Sequence, residues 1–442
     1  MRSNSESVET KLQRIAEKAR KEPDCQFTSL FHLMDIELLR GCFEGLRKDA
    51  ASGIDRVTKE EYGMELDANL SRLAERLHRM SYIPQPVLRA YIPKPGSTKQ
   101  RPLGIPALED KLVQSGLVRI LEAIYEGDFI ADSYGFRPGR GCHDALRTLS
   151  MEVEGGSVHI IVEADIKGFF DNVQHDWMME FLGHRIADKR VLRYVKRFLI
   201  AGMLEDGMFR ATEEGSPQGG NISPILSNVY LHYALDLWFT RLFVKSCEGR
   251  ARLIRYCDDF VVCFQRKSDA VRFRAELDGR LGKFGLEVAA EKTKILEFGP
   301  LAELKAKARG EKSQTFDFLG LTHFCSRTLN GRRFRMKRKT SRKKFKAKLF
   351  AFKEWLKKSR TLPTPELMKT AAAKLRGHFA YYGVTDNSQG IARFDHEIRK
   401  LLFKWLNRRG KRGCMSWEKF TKLLEKYPLP KPRIMVNLFA TR

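Results

Sequence analysis

The stretch "IRYCDDFVV", residues 254–262, places two adjacent carboxylates, Asp258 and Asp259, inside an otherwise apolar run. Apolar residues on both sides predict two strands joined by a two-residue turn, so the carboxylates stand at the tip of a rigid hairpin. Two carboxylates this close repel each other, and a divalent cation that prefers oxygen ligands, such as Mg²⁺, relieves the repulsion. Taken alone, the pair is explained equally well as an ordinary turn, because hairpin turns favour Asp.

A third acidic residue ends another predicted strand. The segment "VHIIVEADIKGFFDNV", residues 158–173, predicts a buried strand that ends at Asp165 and turns into a helix. If this strand lies beside the hairpin, Asp165 converges on the same site. Two metal ions ~4 Å apart would there activate a 3′-hydroxyl and stabilise a leaving pyrophosphate. The apolar surroundings favour this metal site, with Mg²⁺ as the expected ion and Mn²⁺ as a substitute.

The positive charge of the chain is concentrated in its C-terminal third. The 442 residues carry a formal net charge of +27, yet residues 1–300 hold 44 basic and 44 acidic residues. Residues 301–442 hold the other 37 Lys and Arg against 10 Asp and Glu. This asymmetry indicates a polyanionic partner bound mainly by the C-terminal region, and nucleic acid is the commonest polyanion. A merely solvated surface is the alternative.

Neither a disulfide framework nor a zinc site is indicated, because the eight cysteines occur singly, without a C-x-x-C pair or a Cys/His array. The polar N-terminus lacks an apolar segment of signal-peptide length, and no run approaches ~18 apolar residues. These features favour a cytoplasmic protein without a membrane partner.

Helical and strand patterns are mixed along the chain. Residues 1–80 are mostly helical in pattern, and alternating apolar residues predict a hairpin with strands at 87–92 and 102–105. A helix at 268–284 follows the acidic hairpin, and from about residue 340 the pattern becomes helical and basic. Helices combined with antiparallel hairpins predict an α+β fold.

Six motifs occur in the order expected of reverse transcriptases, and together they most resemble the reverse transcriptases encoded by group II introns: "YIPKPGSTKQRPLGIP", "SYGFRPGRG", "ADIKGFFD", "GSPQGGNISPILSN", "YCDD" and "FLGLTH". The resemblance covers roughly residues 30–325, and the tail is similar to the thumb and maturase region called domain X. It implies a right-hand polymerase fold. Residues 1–80 would form an N-terminal extension and the start of the fingers, 81–325 the fingers and palm, and 326–442 a basic, mainly helical thumb and maturase region.

The resemblance implies roles for the acidic residues and for one lysine. Asp165 and Asp258 would be the principal metal ligands, with Asp259 assisting. Lys292, in "EKTK", matches the lysine proposed to protonate pyrophosphate, and Lys294 remains an alternative.

Nucleotide-binding roles are also implied by the resemblance. Phe170, five residues after Asp165, matches the aromatic residue that crowds the sugar 2′-position and excludes ribonucleotides; a core Phe is the alternative. The residues matching contacts to the triphosphate or to the nascent base pair are Lys94, Arg101, Gln218, Gly219 and Gly220. Taken singly, the two cations would be surface charges and the glycines turn formers.

Several residues are candidates for holding template or other RNA. Arg137 and Arg140, in "GFRPGRG", match a grip on template phosphates, although a solvated loop is nearly as good an interpretation. Residues 332–348 pack 11 cations and predict a basic helix that faces RNA, with Lys337, Arg338, Lys343 and Lys344 as the expected contacts.

Further residues near or beyond these motifs bear on the site. Cys257 stands where many relatives have Ala, and a small side chain that tolerates burial should leave the metal site intact. Tyr381 and Tyr382 would stack on RNA bases or, more often at this spacing, lie in the core. "FLG" at 318–320 resembles the primer grip.

The sequence therefore predicts an RNA-directed DNA polymerase that uses an RNA template, a DNA primer and deoxynucleoside triphosphates. It would also bind a group II intron RNA and assist its splicing and mobility. The alternatives are a host-adapted reverse transcriptase in repair or antiviral defence, and a non-catalytic RNA-binding splicing factor. Retention of all three carboxylates favours an active enzyme over the last.

Overall fold

The computed structural model describes residues 6–93, 100–205, 208–210, 214–215, 219–328, 330–408 and 415–439. Helices make up most of this part of the chain: α1 Val8–Lys21, α2 Ile36–Gly45, α3 Lys59–Met64, α4 Leu66–His78, α5 Leu108–Tyr125, α6 Cys142–Glu154, α7 His175–Gly183, α8 Lys189–Leu199, α9 Ser223–Leu231, α10 Lys267–Gly282, α11 Pro300–Ala308, α12 Arg342–Lys358, α13 Thr364–Tyr382, α14 Ser388–Leu406 and α15 Trp417–Lys426. No described helix combines the length and the apolar content needed to cross a bilayer.

The described strands are β1 Val87–Pro93, β2 Gln100–Ile105, β3 Ile160–Asp165, β4 Met203–Glu205, β5 Met208–Arg210, β6 Ala251–Tyr256, β7 Asp259–Phe264, β8 Lys294–Glu297, β9 Thr315–Phe318, β10 Leu321–Arg327 and β11 Phe334–Thr340. They form three sheets, with the orders β2-β1-β4-β5, β6-β7-β3-β8 and β11-β10-β9. Both hairpins predicted from the sequence are present, and the mixed helix and strand content is confirmed.

The β6-β7-β3-β8 sheet separates two hydrophobic cores. Successive strand residues point to opposite faces, so Phe260 and Val262 belong to the core that α10 shares with the N-terminal helices. Val261 and Cys263 belong to the core that contains α6, the β11-β10-β9 sheet and the C-terminal helices. Both faces are thus buried, which is why these strands are continuous apolar runs in the sequence. Packing on both faces holds the sheet rigid, and with it the side chains at the ends of its strands.

The basic segment 332–348 is not one helix, and the prediction of a continuous basic helix is wrong over β11. Its inward residues Met336, Arg338 and Thr340 are buried, while the residues between them are not. This period of two belongs to a strand, and β11 pairs along its whole length with β10. Helix α12 begins only after Ser341, whose hydroxyl accepts a hydrogen bond from the Lys344 N–H at 3.4 Å.

Candidate active site

The tip of the β6–β7 hairpin stands beside the end of β3. Strand β6 ends at Tyr256 and β7 begins at Asp259, which leaves Cys257 and Asp258 as the turn. Asp165, the last residue of β3, lies directly opposite Asp259 in the antiparallel ladder. Residues opposed in this way point to the same face with Cβ atoms ~5 Å apart. Two carboxylates that are 94 positions apart in the sequence are therefore neighbours at the end of the sheet.

These carboxylates crowd one another. Burial, and then the charges of Asp258, Asp165 and Glu163, raise the pKa of Asp259 to about 7, while a backbone hydrogen bond from Leu319 lowers it. Burial is the largest cause of this rise, and the neighbouring carboxylates add to it. The cluster is thus arranged to take up a cation or a proton.

One lysine contacts the cluster directly. The Lys292 Nζ donates to the Asp165 carboxylate, and this contact raises the pKa of Lys292. The Ala289 N–H bonds to the Asp165 carbonyl oxygen at 2.8 Å and so anchors the segment carrying Lys292 to the end of β3. Lys294 is exposed and lies opposite Glu163 in the β3–β8 ladder. Of the two candidate lysines, Lys292 is therefore the one that reaches Asp165.

The donor set has the chemistry that a divalent ion requires. Carboxylate oxygens are the ligands Mg²⁺ prefers, and the negative charges of the neighbouring carboxylates, which add to burial in raising the pKa of Asp259, favour a cation here. As the side chains stand, no group of three or more His, Cys, Asp or Glu in the described ranges is gathered closely enough to hold a metal. The assignment of Asp165, Asp258 and Asp259 as metal ligands remains a prediction, supported by the pairing of two of them in the ladder.

The β6–β7 hairpin turn is strained, and the buried Arg255 holds it in place. Cys257 has φ +57°, an uncommon conformation for a residue with a side chain. The Arg255 guanidinium donates to the Cys257 carbonyl at 3.1 Å and pairs with Asp236 at 2.5 Å, both side chains being fully buried. Asp236 ends a π-helical stretch, a local irregularity that is frequent at functional sites. This ion pair fixes the turn that carries Asp258.

The "SYGFRPGRG" segment supports the same turn. The Tyr134 N–H bonds to the Arg255 carbonyl at 2.9 Å, next to a parallel bridge between Ser133 and Arg255. A Cβ added to Gly135 would lie 2.5 Å from the Cys257 nitrogen, so only glycine allows this approach. Burial raises the pKa of the Cys257 thiol to about 12, which keeps it protonated and in a packing role.

Arg137 does not have the predicted role of a template contact. The side chain is buried, and its three nitrogens donate to the Glu126 carboxylate and to the carbonyls of Glu126, Ile130 and Ser133. All of its donors are thus engaged within the protein, and its role is to hold the loop together. Arg140 is partly exposed, and it donates to the Ala131 carbonyl at 2.5 Å.

A cleft of about 2020 Å³ opens over the hairpin tip. Asp258 and Asp259 line it, together with residues of α1, α2, α5 and α9 and of the C-terminal helices α12, α13 and α14. Phe170 is half-buried and lines the cleft, whereas Phe169 is buried in the core. Gly219 and Gly220 also line it. Gly219 has φ +114°, and a Cβ there would clash with the Gly104 carbonyl of β2.

Three nucleotide-binding predictions cannot be placed. Lys94 and Gln218 lie outside the described residues, as does the side chain of Arg101.

One wall of the cleft is positively charged. Lys344 and Lys348 of α12 and Lys374 of α13 line it, separated by the small residues Ala347, Ala351 and Gly377. The first turn of α12 carries three basic and no acidic residues. Cations at a helix N-terminus oppose the helix dipole, which costs stability and favours an anion nearby. Lys343 in the same turn is exposed.

The predicted RNA contact of Arg338 is wrong, because the strand turns this residue inward. Its side chain is fully buried, and its Nη2 donates to the Ser150 hydroxyl at 2.8 Å. Lys337 points the other way and is partly exposed. Tyr382 is buried, and Tyr381 is half-buried with its hydroxyl donating to the Leu319 carbonyl at 3.0 Å.

Two family sequence models match the chain. The family described as "Reverse transcriptase (RNA-dependent DNA polymerase)" matches residues 92–323, and "Group II intron, maturase-specific domain" matches residues 342–423. Curated proteins are similar to parts of the chain. "Group II intron-encoded protein LtrA" of Lactococcus lactis subsp. cremoris is 37% identical over 235 residues, 53% of this chain and 39% of that protein.

"Protein YkfC" of Escherichia coli (strain K12) is 36% identical over 275 residues, 55% of this chain and 71% of that protein. "Nuclear intron maturase 2, mitochondrial" of Arabidopsis thaliana is 31% identical over 110 residues, 24% of this chain and 15% of that protein. The match to LtrA covers 39% of that protein, so the chain spans well under half the length of LtrA.

Proposed function

Because this chain belongs to the reverse transcriptase family, we propose that it is an RNA-directed DNA polymerase that extends a DNA primer along an RNA template with deoxynucleoside triphosphates. The observation that carries the proposal is that Asp165 lies opposite Asp259 in the ladder, while Asp259 and the adjacent Asp258 line a large cleft. Acidic residues fixed on rigid strands are what in-line nucleotidyl transfer requires.

The architecture supports a right-hand arrangement around these carboxylates. The β6-β7-β3-β8 sheet would be the palm, the β2-β1-β4-β5 sheet with the N-terminal helices the fingers, and the C-terminal helices the thumb and maturase region. Domain boundaries near residues 80 and 325 remain part of the proposal.

Each candidate residue has a role that its contacts suit. Asp165, Asp258 and Asp259 would hold divalent metal ions, with Mg²⁺ as the proposed ion and Mn²⁺ as a substitute. When bound, these ions would activate the primer 3′-hydroxyl and neutralise the leaving pyrophosphate. Lys292, raised in pKa and therefore protonated, is suited to give a proton to pyrophosphate. Phe170 on the cleft wall would exclude a ribose 2′-hydroxyl.

We further propose that the chain binds a group II intron RNA and assists its splicing and mobility. The maturase-specific match at residues 342–423 and the concentration of positive charge in the C-terminal third support this. A host-adapted reverse transcriptase without an intron would need the same catalytic site. The DNA flanking the gene separates these functions, because an intron RNA surrounding the reading frame is expected only for the first.

Primer extension on an RNA template tests the polymerase activity. Asp258→Asn should abolish cDNA synthesis, because an amide is a poor ligand for Mg²⁺ and carries no charge. Asp278→Asn is the matched control, since Asp278 pairs with Arg274 on the surface of α10. Equal cDNA yields from the parent and Asp258→Asn would refute the proposal, as would a DNA-only template requirement.

A further inference from the structure

A second strained turn lies against the catalytic hairpin. Strand β9 packs on β3 and β7, and the β9–β10 turn consists of Leu319 at φ +50° and Gly320 at φ +76°. Two successive positive φ values define a type I′ hairpin turn, which favours Asn-Gly. A branched apolar residue is disfavoured in the left-handed region, so other contacts must hold Leu319 in place.

The backbone of Leu319 is held on both sides. Its N–H lowers the pKa of Asp259 through a backbone hydrogen bond, its carbonyl accepts the Tyr381 hydroxyl at 3.0 Å, and Leu319 and Asp259 line the same cleft. The Leu319 side chain is buried. One strained residue therefore connects a catalytic carboxylate to a tyrosine of α13.

Tyr381 is itself fixed and remains a donor. The His143 Nε2–H donates to the Tyr381 carbonyl at 2.9 Å, and the Tyr381 ring packs edge-on against Tyr382 with the ring centroids 4.7 Å apart. Burial raises the pKa of Tyr381 well above its usual value, so the hydroxyl keeps its proton. Helix α13 belongs to the segment that matches the maturase-specific domain.

We infer that Tyr381 is a positioning residue for nucleotidyl transfer: by holding the Leu319 carbonyl, it fixes the strained turn whose N–H orients the Asp259 carboxylate. The C-terminal helical region would thus contribute to the chemical step as well as to RNA binding. This inference rests on the proposed polymerase function.

The first test is steady-state primer extension by Tyr381→Phe, which removes one hydroxyl and keeps the ring. Loss of a single hydrogen bond that positions a catalytic group should lower kcat about five- to tenfold. KM for the deoxynucleotide and Tm should stay at the parent values, because the hydroxyl that is removed is bonded to the Leu319 carbonyl. Tyr427→Phe removes a hydroxyl from the same C-terminal region, away from the cleft, and should leave kcat unchanged.

A rescue experiment separates positioning from a general packing role. Leu319→Asn supplies a residue that tolerates the left-handed conformation, so the turn should hold without help from Tyr381. The loss of kcat caused by Tyr381→Phe should therefore be less than twofold in the Leu319→Asn background.

The outcomes are distinguishable. An active parent with an unchanged kcat in Tyr381→Phe, a change in KM alone, or an equal loss of kcat in both backgrounds would overturn the inference. A parent that makes no cDNA would overturn the proposed function and the inference with it.

Discussion

Replacing Gly135 by alanine should displace the catalytic hairpin. The added Cβ would lie 2.5 Å from the Cys257 nitrogen, whereas ordinary contacts begin at 3.4 Å, so the turn must move by about 1 Å. A shift of this size in a catalytic group costs ~100-fold in rate, and overpacking a buried contact costs ~1–3 kcal/mol of stability. We therefore expect kcat for primer extension to fall about a hundredfold, with a lower Tm but a folded protein.

Gly141→Ala in the same motif provides the control. At Gly141 an added Cβ meets nothing closer than 3.8 Å, so this variant should keep the parent kcat. The assay is single-turnover extension of a primer on an RNA template, with circular dichroism to confirm folding. A Gly135→Ala enzyme with the parent rate would refute the claim that this segment supports the turn.

Three further perturbations address nucleotide choice, RNA binding and the acidic cluster. Phe170→Val should accept ribonucleotides, measured as the ratio of kcat/KM for deoxyribonucleotides to that for ribonucleotides. An unchanged ratio would show that Phe170 does not exclude the ribose 2′-hydroxyl. Lys344→Gln and Lys348→Gln should each lower the salt slope of log Kd for RNA by ~0.7–0.9, while Arg338→Met should lower Tm and leave that slope unchanged. Because the pKa of Asp259 is about 7, a proton competes with Mg²⁺ below that pH. The apparent Mg²⁺ affinity in primer extension should therefore fall up to ~tenfold between pH 7 and 6 and change little above pH 8; the opposite trend would contradict the role of Asp259.

Local patterns in the sequence were sufficient to predict the strands that carry the carboxylates. Apolar runs broken by a two-residue acidic turn predict a hairpin wherever they occur, and the end of β3 at Asp165 follows from the same reasoning. In α14, Ile391, Phe394 and Ile398 recur at helical spacing and are all buried, because helix periodicity depends only on near neighbours.

Contacts between residues far apart in the chain could not be predicted from local patterns. Arg338 is a charged residue at an inward position of β11. The alternation of apolar and polar residues that identifies a strand was therefore not visible in this run of basic residues. Arg137 is buried because Glu126 meets it, and Tyr381 reaches Leu319 across 62 positions. Arg255 gave one usable signal, since a lone arginine inside an apolar strand predicts a buried partner, here Asp236.

The most direct test of the shared acidic site is a Mn²⁺ titration followed by electron paramagnetic resonance. The protein would be bound to an RNA template, a dideoxy-terminated primer and the next deoxynucleotide, at pH 8. We expect Asp165→Asn and Asp259→Asn each to lose Mn²⁺ bound by the parent, while Asp278→Asn matches the parent. Parent-like Mn²⁺ binding by Asp165→Asn would show that the end of β3 does not share an ion with the hairpin tip.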